Sequence, residues 1–138
     1  MTRFVIGPDA ALRLAREEAV IADGHQLVAP TLLRSQVLSL LYQAVQRGGL
    51  ERKDAERQLD YLRSLRIRLL GDRVLQRVAW RVAAELGWPD TFKAEYVALT
   101  QLQADAFVTL DGEWGRAAQK LVVVAGLEAV LASRSGEQ

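Results

Sequence analysis

Acidic side chains follow two short apolar segments of this sequence, and acids placed in this way can bind a divalent cation. Asp9 follows the segment 4–6, and Asp111 and Glu113 follow the segment 106–109. Carboxylate oxygens are hard ligands of the type that Mg²⁺ and Mn²⁺ prefer. If both segments are parallel strands, their carboxyl ends meet at one edge of the sheet, where sites are built. A metal site of Asp9, Asp111 and Glu113 is one interpretation. The favoured interpretation is that Asp9 caps the helix after the first segment and that Glu113 begins the helix after the segment 106–109.

Basic residues are concentrated in the middle of the chain. Between residues 63 and 81 there are six arginines and one acid, a local net charge of +5. Arg73, Arg77 and Arg81 recur at intervals of four residues, a spacing that places them along one side of a helix. A solvated helix face is the favoured interpretation. A stripe that binds the phosphates of RNA is the alternative.

Other residue types narrow the possible chemistry. The chain has no cysteine, which excludes thiolate metal sites and thiol catalysis. Its only histidine, His25, cannot form a histidine metal cluster. The three tryptophans, Trp80, Trp88 and Trp114, could stack on bases. Packing in the core or at an interface is the favoured role for these large aromatic side chains.

Short apolar segments alternate with amphipathic helices along the chain. The segments 4–6, 27–29 and 106–109 indicate strands, residues 67–69 an edge strand or a connection, and residues 121–124 a further apolar run. Helices are predicted at 9–18, 31–47, 51–65, 72–86 and from 91 onward, with a last helix ending near Leu131. We therefore predict a single α/β domain over residues 1–132, with a mostly parallel central sheet flanked by helices. Helices 31–47 and 51–65 form a helical hairpin insertion, and residues 133–138 a flexible C-terminal tail.

Length and composition agree with one ordinary globular domain. The chain has 138 residues and a net charge of +1, so its overall charge does not indicate nucleic acid. No apolar run reaches the roughly 18 residues of a membrane span, and the sequence begins without a signal-peptide pattern. With the absence of cysteine, these features predict a cytoplasmic protein that does not associate with membranes.

With its elements laid out, the sequence resembles the PIN-domain nucleases, in particular the ribonuclease toxins of bacterial toxin–antitoxin systems. The resemblance covers nearly the whole chain and lies in the segments FVIGPDAALRLA, PTLLRSQVLSLL, TFKAEYVAL and VTLD. In that family, acids in these four segments together hold a divalent metal ion, which activates water to cut a phosphodiester bond. The resemblance thus implies a PIN-like fold and a site at the carboxyl edge of the sheet.

The same resemblance implies a degenerate site. The four acidic positions of the family pattern fall on Gly7, Gln36, Lys93 and Asp111, of which only the last is acidic. Glycine offers no side-chain ligand and glutamine offers a neutral carbonyl oxygen, whereas an ammonium group repels a dication. Lys93 also lies in the first turn of its helix, where a cation faces the positive end of the helix dipole. We therefore predict that Lys93 pairs with Asp111 in a vestigial pocket near Gly7 and Gln36.

Three functions follow from the resemblance. The favoured one is a domain derived from a metal-dependent ribonuclease that no longer cleaves, needs no cofactor, and binds RNA or a protein partner. The second is an active Mg²⁺- or Mn²⁺-dependent endoribonuclease with its acids rearranged to Asp9, Asp111 and Glu113. The third is a structural module that dimerises or captures an antitoxin-like helix. A homodimer through residues 31–65 is expected, because a helical hairpin exposes apolar edges that symmetric pairing can cover.

Overall fold

The computed structural model describes residues 1–132 as one α/β domain. Within these residues the strands are β1 (Thr2–Ile6), β2 (His25–Pro30), β3 (Arg68–Leu70), β4 (Ala106–Val108) and β5 (Val124–Ala125). The α-helices are α1 (Pro8–Glu17), α2 (Leu32–Gln46), α3 (Arg52–Ser64), α4 (Arg73–Leu86), α5 (Phe92–Gln103) and α6 (Gly112–Ala118). A 3₁₀-helix follows at Leu127–Ala129. No helix in this part of the chain is long and apolar enough to cross a membrane.

The five strands form one parallel sheet in the order β3-β2-β1-β4-β5. β1 lies at the centre because its residues are apolar on both faces: Phe4, Val5 and Ile6 are all buried. Consecutive burial of this kind is typical of a parallel strand that is covered by helices on both sides. The predicted α/β class, the parallel sheet and the helical hairpin α2–α3 are confirmed.

Helices α5 and α4 form successive layers on the sheet. α5 contacts β1, β2 and β4, and α4 packs against α5. α4 starts at Asp72, whose carboxylate accepts a hydrogen bond from the Leu75 backbone N–H at 2.9 Å. It ends at Gly87, which has a φ of 71° in the left-handed region that glycine tolerates. Because α4 is an outer layer, one side of it lies away from the core.

Near the end of the described chain, the structure assigns the apolar run 121–124 and shows what kind of helix the last one is. Only Val124 of the apolar run 121–124 belongs to a strand, because the backbone N–H groups of Leu121 and Val122 still bond to the carbonyl of Ala118 at the end of α6. The last helix is a single 3₁₀ turn, since Leu131 leaves it to bridge Ile21. The predicted flexible tail, residues 133–138, lies outside the described residues.

Candidate functional site

The carboxyl ends of β1 and β4 form the crevice at which the strand order reverses. From β1 the chain continues to β2 and β3 on one side, and it returns on the other side of β1 as β4. Gly7 follows β1 at this edge, and its backbone N–H donates to the carbonyl of Val108 at 2.9 Å. Open parallel sheets bind their ligands at such a switch point, so a functional site is expected here.

The carboxylate of Asp9 spans this crevice. Its Oδ2 accepts hydrogen bonds from Thr109 Oγ1 at 2.7 Å, from the Leu110 N–H at 2.9 Å and from the Asp111 N–H at 3.0 Å. Its Oδ1 accepts from the Ala10 N–H at 2.7 Å. Hydrogen bonds to an ionised acceptor are among the stronger ones in proteins. Asp9 therefore fixes the loop after β4 to the start of α1.

The predicted role of Asp9 as a helix cap is wrong. Gly7 is the N-cap residue of α1, and Asp9 lies inside the first turn, where its Oδ1 accepts from the Ala10 N–H. Asp9 lies two residues later, so its carboxylate points to a loop that is about a hundred positions away in the sequence. This contact could not be read from local spacing.

Asp111 and Glu113 begin α6. Asp111 is the N-cap residue, and its Oδ1 accepts a hydrogen bond from the Trp114 backbone N–H at 3.0 Å. Glu113 is exposed in the first turn, where the helix dipole favours a negative charge. The prediction that Glu113 starts a helix is confirmed.

The indole ring of Trp114 fills the crevice beside Gly7. Its side chain is buried, and its ring centroid lies 4.8 Å from that of Phe107 and 5.3 Å from that of Tyr96. A Cβ atom at Gly7 would lie 3.2 Å from Trp114 Cζ3 and 2.8 Å from Oδ1 of Asp9. Glycine at position 7 thus leaves the room that the indole and the Asp9 carboxylate occupy.

Gln36 and Tyr96 close the next part of the same edge. Tyr96 is fully buried, and its hydroxyl donates to Oε1 of Gln36 at 2.5 Å. Burial raises the pKa of the Tyr96 hydroxyl well above its usual range, and the charges of Glu95 and Asp9 raise it further. The phenol therefore stays protonated and remains a donor, and the neutral amide oxygen of Gln36 accepts its hydrogen bond.

Lys93 contacts Trp114 and forms no ion pair with Asp111. Its ammonium nitrogen lies 5.7 Å from the centroid of the indole ring, within the range of a cation–π interaction. The five ion pairs within residues 1–132 do not include Lys93. The predicted ion pair between Lys93 and Asp111 is therefore wrong, because Lys93 contacts Trp114 instead. The positions that the resemblance singles out are nevertheless neighbours: Gly7, Lys93 and Asp111 surround Trp114, and Tyr96 joins Trp114 to Gln36.

The residues of this crevice do not fit Mg²⁺ or Mn²⁺. Among residues 1–132 no group of three or more histidine or acidic side chains is arranged to hold a metal ion. Both oxygens of Asp9 already accept hydrogen bonds from the protein. The groups that face Trp114 include the Lys93 ammonium, and the indole Nε1 is itself a buried donor without a partner in the described part of the chain. Because donors of this kind do not ligate a cation, we assign no chemical step to a metal at Asp9, Asp111 and Glu113.

The basic residues lie on the side of α4 that faces away from the core. Arg73, Arg77 and Arg81 are all exposed, as predicted. An open groove of about 510 Å³ is lined by these three arginines together with Gln76 and Trp80. The predicted packing in the core or at an interface is confirmed for Trp114, which is buried, and for Trp88, which packs against the core. Trp80 is 75% exposed, so it does not pack in the core, and its packing at an interface stays a prediction.

These features define an α/β protein with a parallel five-stranded sheet and an aromatic, acid-poor crevice at its switch point. The fold is similar to that of PAE2754 from Pyrobaculum aerophilum, known from a crystal structure. The TM-score is 0.74 over 93% of this chain and 91% of that chain, at 21% sequence identity. A likeness at this identity shows the fold alone. No protein-family profile and no curated protein matches the chain.

The close contacts of Gly7 yield a stability prediction. Gly7→Ala should lower the free energy of unfolding by about 1–3 kcal/mol, because the new methyl group overpacks the space beside Trp114 and Asp9. The backbone at Gly7 has a φ of −74°, so the effect is steric and not conformational. Gly49→Ala is the matched control, since its nearest neighbour would be at an ordinary 3.7 Å. Equal urea unfolding midpoints for Gly7→Ala and wild type would contradict the packing described here.

The raised pKa of Tyr96 yields a pH prediction. Above pH ~10 the unfolded chain releases the tyrosine proton while the folded state retains it, so unfolding becomes easier as the pH rises, by up to about 1.4 kcal/mol per pH unit for one group. Tyr96→Phe should remove most of this slope between pH ~10 and ~11. Tyr61→Phe should remove a separate part, because burial also raises the pKa of Tyr61. Urea unfolding across this range measures both, and an unchanged slope in Tyr96→Phe would be inconsistent with a buried neutral phenol.

Proposed function

We propose that this protein is a PIN-like domain derived from a metal-dependent ribonuclease toxin, and that it acts by binding RNA or a protein partner without cleaving RNA. The resemblance of four sequence segments to that family supplies the derivation, and the parallel α/β fold is compatible with it. The cytoplasm is the proposed location, in keeping with the absence of cysteine.

One observation carries the proposed loss of cleavage. The Trp114 indole lies where a side chain at position 7 would extend. In this proposal, glycine replaces the first acid of the family pattern, and the indole ring fills the space that the acid leaves. A missing acid by itself could be replaced by a neighbouring one. An aromatic ring in its place, with a lysine ammonium over that ring, leaves neither the volume nor the charge that a hydrated dication requires.

The remaining acids support the same proposal. Asp9 holds the loop 109–111 and Asp111 caps α6, so each carboxylate has a structural role that metal binding would disturb. A rearranged enzyme based on Asp9, Asp111 and Glu113 would need the Asp9 hydrogen bonds to be broken. We therefore favour the binding function over this alternative.

A second candidate function is dimerisation or capture of an antitoxin-like helix, which the hairpin α2–α3 favours. A groove of about 460 Å³ lies between α2, α3 and the residues up to β3, and its lining is mostly apolar, including Leu33, Val37, Leu59, Leu62 and Ile67. Further along α2, Leu38, Leu40 and Tyr42 are exposed. Apolar surface gathered on one element is typical of an interaction face.

The proposed loss of cleavage is tested by a nuclease assay. Purified wild-type protein should cut labelled single-stranded RNA in Mg²⁺ or Mn²⁺ no faster than in EDTA, because in this proposal the buried Trp114 ring takes the place of the metal that activates water. Lys93→Asp should leave this rate at background, since Trp114 still fills the crevice. Asp111→Asn decides the origin of any cleavage: if wild type cleaves RNA with metal and this variant does not, the acids form a working site and the proposal is wrong.

The proposed homodimer is tested by multi-angle light scattering. Wild type should have twice the monomer mass at high protein concentration, because pairing of the α2–α3 surfaces removes exposed apolar side chains from water. Tyr42→Glu should shift the equilibrium toward the monomer. Val20→Glu, at an exposed apolar residue outside the hairpin, is the control and should leave the mass unchanged. A monomeric wild type across the whole concentration range would exclude this interface.

A further inference from the structure

The outer face of α4 combines cationic and aromatic side chains in a way that packing does not explain. The inner face of this helix is buried through Leu75, Val78, Ala79, Val82 and Ala83. Arg77, Trp80 and Arg81 lie on the opposite side, and Arg73 extends the same row toward the start of the helix. At a rise of about 1.5 Å per residue, the row from Arg73 to Arg81 is about 12 Å long. A row of this length can contact several successive charges of a polyanion backbone, whereas a single bound anion would need only one end of it.

The arginines of this row are not neutralised by the protein. The ion pairs within residues 1–132 lie on α1, on α3 and beside the start of α3, and none includes a residue of α4. Asp72 uses its carboxylate to cap the helix, and Glu85 is exposed without an ion pair in this part of the chain. Three guanidinium groups therefore face solvent as a continuous positive strip.

Helix stability does not favour this arrangement. Like charges at intervals of four residues repel one another, typically by a few tenths of a kcal/mol per pair. Arg73 is in addition the first residue of α4, where a positive charge faces the positive end of the helix dipole. A binding partner of opposite charge would relieve both effects.

Trp80 indicates what kind of polyanion fits. Its side chain is 75% exposed, although a tryptophan normally buries most of its large apolar surface. It is flanked by Arg77 one turn earlier and by Arg81 next in the chain. A duplex hides the faces of its bases and would use the arginines alone, whereas a single strand presents bases that stack on an exposed aromatic ring.

We propose that the outer face of α4 is a binding site for single-stranded nucleic acid, in which Arg73, Arg77 and Arg81 contact successive phosphates and a base stacks on Trp80. This inference deepens the proposed function and rests on its binding role. It assigns that role to a surface separate from the crevice around Trp114.

The site is tested with fluorescein-labelled single-stranded RNA and DNA of mixed sequence, and with the same sequence as a duplex, all in EDTA. Fluorescence anisotropy should show binding of single strands in which the logarithm of the association constant falls linearly with the logarithm of salt concentration. The duplex should bind more weakly. Trp80→Ala should weaken single-strand binding by about 5- to 150-fold, and Trp80→Phe should recover part of the loss. Arg77→Ala should reduce the salt slope by about 0.7.

Arg16→Ala is the matched control for charge. It removes one exposed arginine from α1 that, like those of α4, has no ion pair within residues 1–132, and it should leave both affinity and salt slope near those of wild type. All the α4 side chains changed are exposed, and circular dichroism with thermal unfolding verifies that each variant is folded. RNA and DNA affinities separate the two nucleic acids as ligands of the same site.

Several results would overturn the inference. They are no binding at low salt, equal binding by Trp80→Ala and wild type, tighter binding of the duplex, or binding of anionic vesicles without binding of oligonucleotides. Cleavage of the RNA when Mg²⁺ or Mn²⁺ replaces EDTA would instead contradict the proposed loss of catalysis. Failure of the binding-site inference is thus measured by the affinity for oligonucleotides in EDTA. Failure of the proposed loss of catalysis is measured separately, by whether the RNA stays intact in Mg²⁺ or Mn²⁺.

Discussion

The hydrogen bonds of the Asp9 carboxylate hold together the edge of the sheet on which the site depends. Three donors from residues 109–111 converge on one oxygen, so the start of α1 and the loop after β4 are fixed relative to each other. That loop leads into α6 through the Asp111 cap, and the first turn of α6 carries Trp114 into the crevice. The position of the indole is therefore a consequence of where Asp9 holds the chain.

Gly7, Gln36 and Lys93 each have a physical role in the filled crevice. Gly7 leaves room for the ring, Gln36 accepts a hydrogen bond from the buried Tyr96 hydroxyl, and Lys93 lies over the ring face. At Gly7 the limit is volume, because any side chain there would crowd the Trp114 ring and the Asp9 carboxylate. The crevice is therefore a packed region whose residues fit one another.

The surface of α4 is independent of this crevice in its chemistry. Its inner side supplies apolar contacts to the core, and its outer side places three arginines and a tryptophan in solvent. The same helix therefore combines a structural face with a face whose charge and exposed aromatic area lower its intrinsic stability. In the nucleic-acid site proposed for this face, the binding residues are carried on a rigid helix.

The sequence alone determined the features that depend on near neighbours. Apolar segments between helices predicted the parallel sheet, and the four-residue spacing of Arg73, Arg77 and Arg81 predicted one exposed row. The buried face of α4 has a heptad-like spacing, formed by Leu75, Val78, Ala79 and Val82. Trp80 lies outside this spacing, so the sequence pattern could have predicted that its side chain is exposed. Only the tertiary structure decided that Asp9 bonds to the loop after β4, that Trp114 occupies the crevice, and that Lys93 contacts its ring instead of Asp111. The reason is physical: periodicity and capping involve residues within a few positions of each other, whereas the filling of a crevice depends on the volumes and hydrogen-bonding groups that distant segments bring to one place.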